Sequence, residues 1–198
     1  MRSPKRAFVA TAWVLIRSLS LGMWLACILP HALAEQASLQ AAVAVNLDTV
    51  QVDLADAAFV LDDASSTLSL EEVLQAARDG RFHARSVSRL RSSTAVVWLR
   101  YSLRNAEPVA TRWILDSGSK TLNEFVLFAP DAQGVYHRQS TGAQSRFADR
   151  PVPVSSFAHY LELPAGQTVD VYLRVHSNWY SSLGFRPQVW QPQARLAH

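Results

Sequence analysis

The chain has 198 residues, 49% of them hydrophobic, with 19 basic and 16 acidic side chains and a formal net charge of +3. The basic surplus sits in residues 1–34, where Arg2, Lys5, Arg6 and Arg17 meet no acid; the rest carries fifteen basic and sixteen acidic groups, too even a balance for binding nucleic-acid phosphates. The single cysteine, Cys27, lies in the same segment, which excludes disulfides, thiolate metal sites and a cysteine nucleophile from residues 35–198.

Residues 1–34 read as a signal peptide, with a basic start, an apolar run from Leu19 to Leu29, a break at Pro30 and the small-x-small triplet Ala32-Leu33-Ala34. Cleavage is expected after Ala34, releasing residues 35–192 as one extracytoplasmic domain, periplasmic or secreted, with 193–198 as a C-terminal tail. The alternative is an uncleaved inner-membrane anchor, because residues 7–29 are enough to span a bilayer at about 1.5 Å per residue. After residue 34 no apolar run approaches the ~18 residues of a spanning helix, so the mature chain is not expected to cross the membrane.

Val43, Val45 and Leu47, then Val50, Val52 and Leu54, alternate with their neighbours and predict one or two short strands. Ser69 followed by Glu72 is a capping box; Leu70, Val73, Leu74 and Ala77 form an apolar stripe and Gly80 a stop, so a helix starts at 70 and covers an end or edge of a sheet. Strands follow at 82–87, 95–104, 111–117, 122–129, 134–139, 157–163, 168–176 and 185–190. Pro130-Asp131-Ala132-Gln133-Gly134 and Pro164-Ala165-Gly166-Gln167 supply the fixed φ of proline and the tolerated positive φ of glycine for reversals. Residues 140–156 show no period and read as a long loop. The pattern predicts an all-β chain, a two-layer antiparallel β-sandwich, jelly-roll-like, with one short covering helix.

Alternation also sorts side chains. Val97, Leu99, Tyr101 and Leu103 fall on one face of their strand, with Trp98, Arg100, Ser102 and Arg104 on the other; Val169, Val171, Leu173 and Val175 likewise oppose Asp170, Tyr172, Arg174 and His176. Flat aromatics beside planar hydrogen-bonding groups suit a sugar or small polar ligand, which makes Trp98, Arg100, Tyr172, Arg174 and His176 candidate contacts. Asn178, Trp179 and Tyr180 join them as a polar segment with two adjacent aromatics. The structural alternative has Trp98 and Tyr172 capping a second hydrophobic layer, with Arg100 and Arg174 paired to Asp116, Glu124, Glu162 or Asp170.

No catalytic residue, metal site or cofactor is predicted. His83, His137, His159 and His176 are isolated, without H-x-H or H-E-x-x-H spacing, and Asp62-Asp63 and Glu71-Glu72 are adjacent acids that point different ways. Neither a P-loop nor G-x-S-x-G is present.

The run L-S-L-E-E-V-L, V-W-L-R-Y-S-L-R-N, R-W-I-L-D, F-V-L-F-A-P-D-A-Q-G, R-F-A-D-R-P-V, L-P-A-G-Q-T-V-D-V-Y-L-R-V and V-W-Q-P, spread over residues 45–192, resembles the type 2 extracellular sensor domain of bacterial seven-transmembrane receptors with diverse intracellular signalling modules. The resemblance implies a fold similar to carbohydrate-binding modules. It also implies an extracytoplasmic ligand-binding sensor, taking a small molecule or carbohydrate as the input module of a membrane signalling receptor. In that family seven membrane spans and an output domain follow; here a separate membrane receptor or signalling subunit is the expected partner. The alternative is a carbohydrate-binding accessory or structural envelope protein with no signalling role. Where the family usually has a proline or aromatic turn, this chain has Ser117-Gly118-Ser119-Lys120.

Overall fold

The computed structural model describes residues 42–89, 96–177 and 185–198. In chain order the strands among them are β1 (Val43–Val45), β2 (Gln51–Asp53), β3 (Phe59–Asp63), β4 (His83–Ala84), β5 (Val96–Asn105), β6 (Thr111–Asp116), β7 (Glu124–Pro130), β8 (Tyr136–Thr141), β9 (Ala158–Leu163), β10 (Thr168–His176) and β11 (Gln188–Trp190). Helix α1 (Leu70–Arg78) lies between β3 and β4, and a short α2 (Pro192–Leu196) follows β11.

One sheet has the order β4-β3-β5-β10-β7-β8 and the other β2-β11-β6-β9. All pairings are antiparallel except that of β1, which runs parallel to the end of β5 with Val43 opposite Leu103. Since β10 follows one edge of β5 from Val97 to Arg104, β3 and β1 divide the other edge between them. From β5 onward the chain passes between the sheets at nearly every connection, leaving only β7 and β8 as a hairpin within one layer. This is the all-β sandwich that the alternation predicts.

The main core fills the space between the sheets. Leu99, Tyr101 and Leu103 of β5 meet Trp113 and Leu115 of β6, Phe125 and Leu127 of β7, and Val171 and Leu173 of β10, all fully buried. Helix α1 forms where expected. Ser69 Oγ accepts from the Glu72 N–H at 3.3 Å and Glu72 Oε2 accepts from the Ser69 N–H at 2.8 Å, so two N-terminal donors are satisfied reciprocally. Its buried residues Val73 and Ala76 close a second core against Leu61, Trp98 and Tyr172.

Several elements differ from expectation. Strand β3 carries no alternation to announce it, because Val60 and Leu61 are buried on opposite faces and leave a continuous apolar run. Only His83 and Ala84 of 82–87 pair, after which Val87–Arg89 forms a 3-10 turn. The expected loop at 140–156 is anchored by Val152 and Val154, packed with Ile114 and Ala158 on the outer face of the second sheet. The expected tail carries α2, held by Arg195. Its Nε donates to Asp116 Oδ2 at 2.5 Å and its Nη2 to Ser156 Oγ at 2.8 Å, while Ser156 Oγ donates to the same carboxylate at 2.8 Å. The other Asp116 oxygen accepts from the Gly118 N–H at 2.7 Å. Gly118 has φ +64°, and a Cβ there would lie 2.5 Å from the Arg186 carbonyl oxygen, so this turn requires glycine.

His159 is fully buried, stacked on Phe125 with ring centroids 5.2 Å apart, and its Nε2 lies 3.0 Å from the Phe125 carbonyl oxygen. Burial pushes its pKa down from 6.5 to about 4, against the raising effect of the carbonyl contact and with a small lowering from Arg138. The unfolded chain therefore takes up this proton first. The contribution of His159 to stability is complete above about pH 6.5 and falls by about 3 kcal/mol as the pH falls to about 4. Urea denaturation across that range should show the decline, and His159→Phe should flatten it while lowering stability at pH 7.

Candidate functional site

The outer face of the first sheet carries the side chains that alternation sets opposite the core. Register places Leu61, Trp98, Arg174, Val126 and Ser140 in one row across β3, β5, β10, β7 and β8, with Phe59, Arg100, Tyr172, Phe128 and Arg138 in the next. Helix α1 covers the first part of these rows. Trp98 is 1% exposed and stacks on Phe128 at 5.5 Å; Tyr172 is 3% exposed between Phe82 and Tyr136, both edge-on at 6.0 and 5.7 Å. Neither ring presents a face to solvent. Burial raises the Tyr172 and Tyr136 phenol pKa values, with nearby Asp170 adding to both shifts, so both hydroxyls stay protonated.

Arg100 and Arg174 are each engaged. Arg100 donates from Nη2 and Nε to Asp170 Oδ2 at 2.8 and 3.2 Å, and Ser102 Oγ donates to Asp170 Oδ1. The Tyr136 hydroxyl donates to the Asp170 backbone oxygen at 3.2 Å, tying β8 to β10. Arg174 pairs through Nη1 with Glu124 Oε2 and through Nη2 with the Ser66 carbonyl at 3.0 Å. That carbonyl belongs to a turn built on buried Asp63, whose Oδ1 accepts from Ser65 Oγ at 2.6 Å and Oδ2 from the Leu68 N–H at 3.1 Å. Burial of Asp63 opposes ionisation, but these donors and nearby Trp98 outweigh it and hold the carboxyl below its ordinary pKa.

The other acids singled out by sequence serve locally. Asp62 makes a paired contact with Arg85, both oxygens at 3.1 Å, and Glu72 completes the helix cap. Among the described residues no cluster of three His, Cys, Asp or Glu side chains could hold a metal, and no helix is long and apolar enough to cross a membrane.

Where α1 no longer covers the sheet, an open cleft of about 390 Å³ lies at the end of β7, β8 and β10. Asn123 and Glu124 form one side, Ser140 and Thr141 another, His176 a third, and the turn after β8 closes it with Gln144 and Ser145. Gly142 allows that turn to pass close over β7. A Cβ at 142 would lie 2.2 Å from the Asn123 carbonyl oxygen, and the Ala143 N–H reaches the Leu122 carbonyl at 2.9 Å. Arg138 stands beside the cleft, donating to Ser140 Oγ at 3.3 Å and lying 3.8 Å from Glu124 Oε1.

Of the sequence candidates, His176 lines this cleft and Arg174 adjoins it through Glu124, whereas Trp98 and Tyr172 lie in the covered part of the face and Arg100 is paired with Asp170 beside them. Asn178, Trp179 and Tyr180 fall outside the described residues. Sequence reasoning missed Glu124, Ser140 and Ser145 as a site. The polar alternation of β8 was legible, but nothing local indicates that the turn after it folds back toward β7.

The 7TMR-DISM extracellular 2 family model matches residues 55–191. No curated protein was found to match the chain. The match covers more than half of the sequence and nearly every strand described above, and the chain belongs to the 7TMR-DISM extracellular 2 family. It is therefore an extracellular sensor domain, acting outside the cytoplasm.

Trp98→Ala should cost about 3–5 kcal/mol in denaturant unfolding, the loss expected when a large core aromatic is deleted. Gly142→Ala should cost about 1–3 kcal/mol, because the backbone over the cleft has to shift. Together they separate core from rim: Trp98→Ala should broaden near-UV signals from the α1 core, and Gly142→Ala should leave them intact.

Proposed function

We propose that this chain is the ligand-binding input module of a bacterial membrane signalling receptor, and that it takes a small molecule or carbohydrate, without covalent chemistry, in the cleft bordered by Glu124, Ser140, Ser145 and His176. The observation that carries this reading is the cleft itself. On a sheet face that α1 covers in part, it is an opening of about 390 Å³ where hydroxyl, amide, carboxylate and imidazole groups from several elements converge. Ligand sites of small-molecule size are concave and use a few placed polar groups in this way. Family membership supports the sensory role.

The leader ending at Ala34 would deliver the domain to the periplasm or beyond, and the partner is a membrane receptor or signalling subunit. A ligand shifts such a partner contact only by binding two states of the domain unequally. The segment after β8 offers a route. It borders the cleft at Gly142 and Ser145, and further along, Ser156 bonds Arg195 of α2. A ligand that orders the first part favours one placement of the last.

Titration calorimetry of the full chain against monosaccharides and small organic acids tests the reading. At least one compound should bind in the micromolar to millimolar range, and Ser140→Trp, at an exposed position on the cleft wall, should abolish binding without changing the circular dichroism spectrum. Binding that survives Ser140→Trp would place the ligand elsewhere and sink the proposal. Binding confined to polymeric glycan would favour the accessory role.

A further inference from the structure

We infer that the cleft selects a ligand bearing a carboxylate, with Arg138 as the group that receives it; this rests on reading the cleft as the ligand site. The charges around it do not cancel. Glu124 is the one acid among the described residues within ion-pair range of Arg174 or Arg138, so one carboxylate faces two guanidinium groups. Arg174 holds that carboxylate closely and spends its other terminal nitrogen on the Ser66 carbonyl. Its side chain is 20% exposed, and its donors are committed.

Arg138 differs. Its side chain is 57% exposed, its contact with Glu124 is long at 3.8 Å, and its one side-chain hydrogen bond among the described residues goes to Ser140 Oγ at 3.3 Å. A guanidinium has five N–H donors in a fixed fork that fits a carboxylate in a bidentate manner. Arg138 therefore offers an uncompensated charge and an open fork at the edge of the cleft. The hydroxyls of Ser140 and Ser145 can donate to the same anion. Glu124, already paired with Arg174, is screened from repelling it.

Calorimetry of the full chain at fixed ionic strength with D-galacturonate, malate and D-galactose tests the inference. The two carboxylates should bind, and galactose, which shares the galacturonate ring without its charge, should bind at least about tenfold more weakly. Arg138→Gln should weaken the carboxylates about tenfold or more, and Arg138→Lys, which keeps the charge but loses the fork, should fall between. Both variants should melt with the wild type because the side chain is exposed. Galactose binding as tightly as galacturonate, or carboxylate affinity unchanged in Arg138→Gln, would overturn selectivity for an anion. If Ser140→Trp still blocked that ligand, the cleft would stand as its site. Failure of both carboxylates to bind would overturn the inference, while any other compound whose binding Ser140→Trp abolishes would leave the cleft standing as the ligand site.

Discussion

Strand β5 serves two cores at once, and the arrangement of everything around it follows. Eight of its ten residues are buried, where a strand with one wet face would bury about half. Its inner face supplies Leu99, Tyr101 and Leu103 to the space between the sheets, and its outer face supplies Val96 and Trp98 to the smaller core beneath α1. Helix α1 has to dock there because its own apolar stripe cannot remain in water, and nine residues do not hold a helix together without tertiary packing. Once α1 is seated, the part of the outer face around Trp98 and Tyr172 is covered, and the open cleft lies at the end of the sheet.

The same constraint decides how far the sequence was legible. Period-two alternation identified the faces of β5 and β10 correctly, and the Ser69–Glu72 box placed the start of α1, because both are local signals. Alternation tells which side chains share a face. It does not tell what lies over that face. Trp98, Arg100, Tyr172 and Arg174 have the same pattern whether they contact a sugar or a helix, and the covering helix comes from a segment some twenty residues upstream of β5. The parallel pairing of β1 with β5 was equally hidden, since three residues carry too little pattern to specify a partner. The 140–156 segment looked structureless because its packing rests on only Val152 and Val154, two residues apart on an otherwise polar stretch.

The charged groups on the covered face are best understood as a condition of its closure. Burying Tyr172 and Trp98 brings Arg100 and Arg174 out of bulk water, and a half-buried guanidinium without an acceptor would oppose the packing. Asp170 and Glu124 supply those acceptors, each from the strand next to its arginine, and Ser102, Tyr136 and the Ser66 carbonyl complete the set. These pairs are 20–30% exposed, so solvent screening leaves each a modest net contribution to stability. Their larger effect is on geometry: they fix β8 and the Ser66 turn relative to β10, which gives the cleft a rigid wall.

That rigidity is unevenly distributed, and a sensor requires such unevenness. Glu124 and His176 sit on paired strands beside the buried core residues Phe125 and Val175, and Ser140 is held in register with Val126 on the paired edge strand β8. The opposite wall, from Gly142 to Ser145, is a turn fixed by a few backbone hydrogen bonds and by the close passage that glycine permits. A ligand spanning both walls can distinguish conformations of the turn while the strands hold its register. In the proposed binding mode, the energy available for a response is the difference in ligand contacts to the turn between two states, if the strands hold their positions in both. The turn leads, through Val152 and Val154, to Ser156 and its bond with Arg195, so this wall of the cleft is also the one joined to α2.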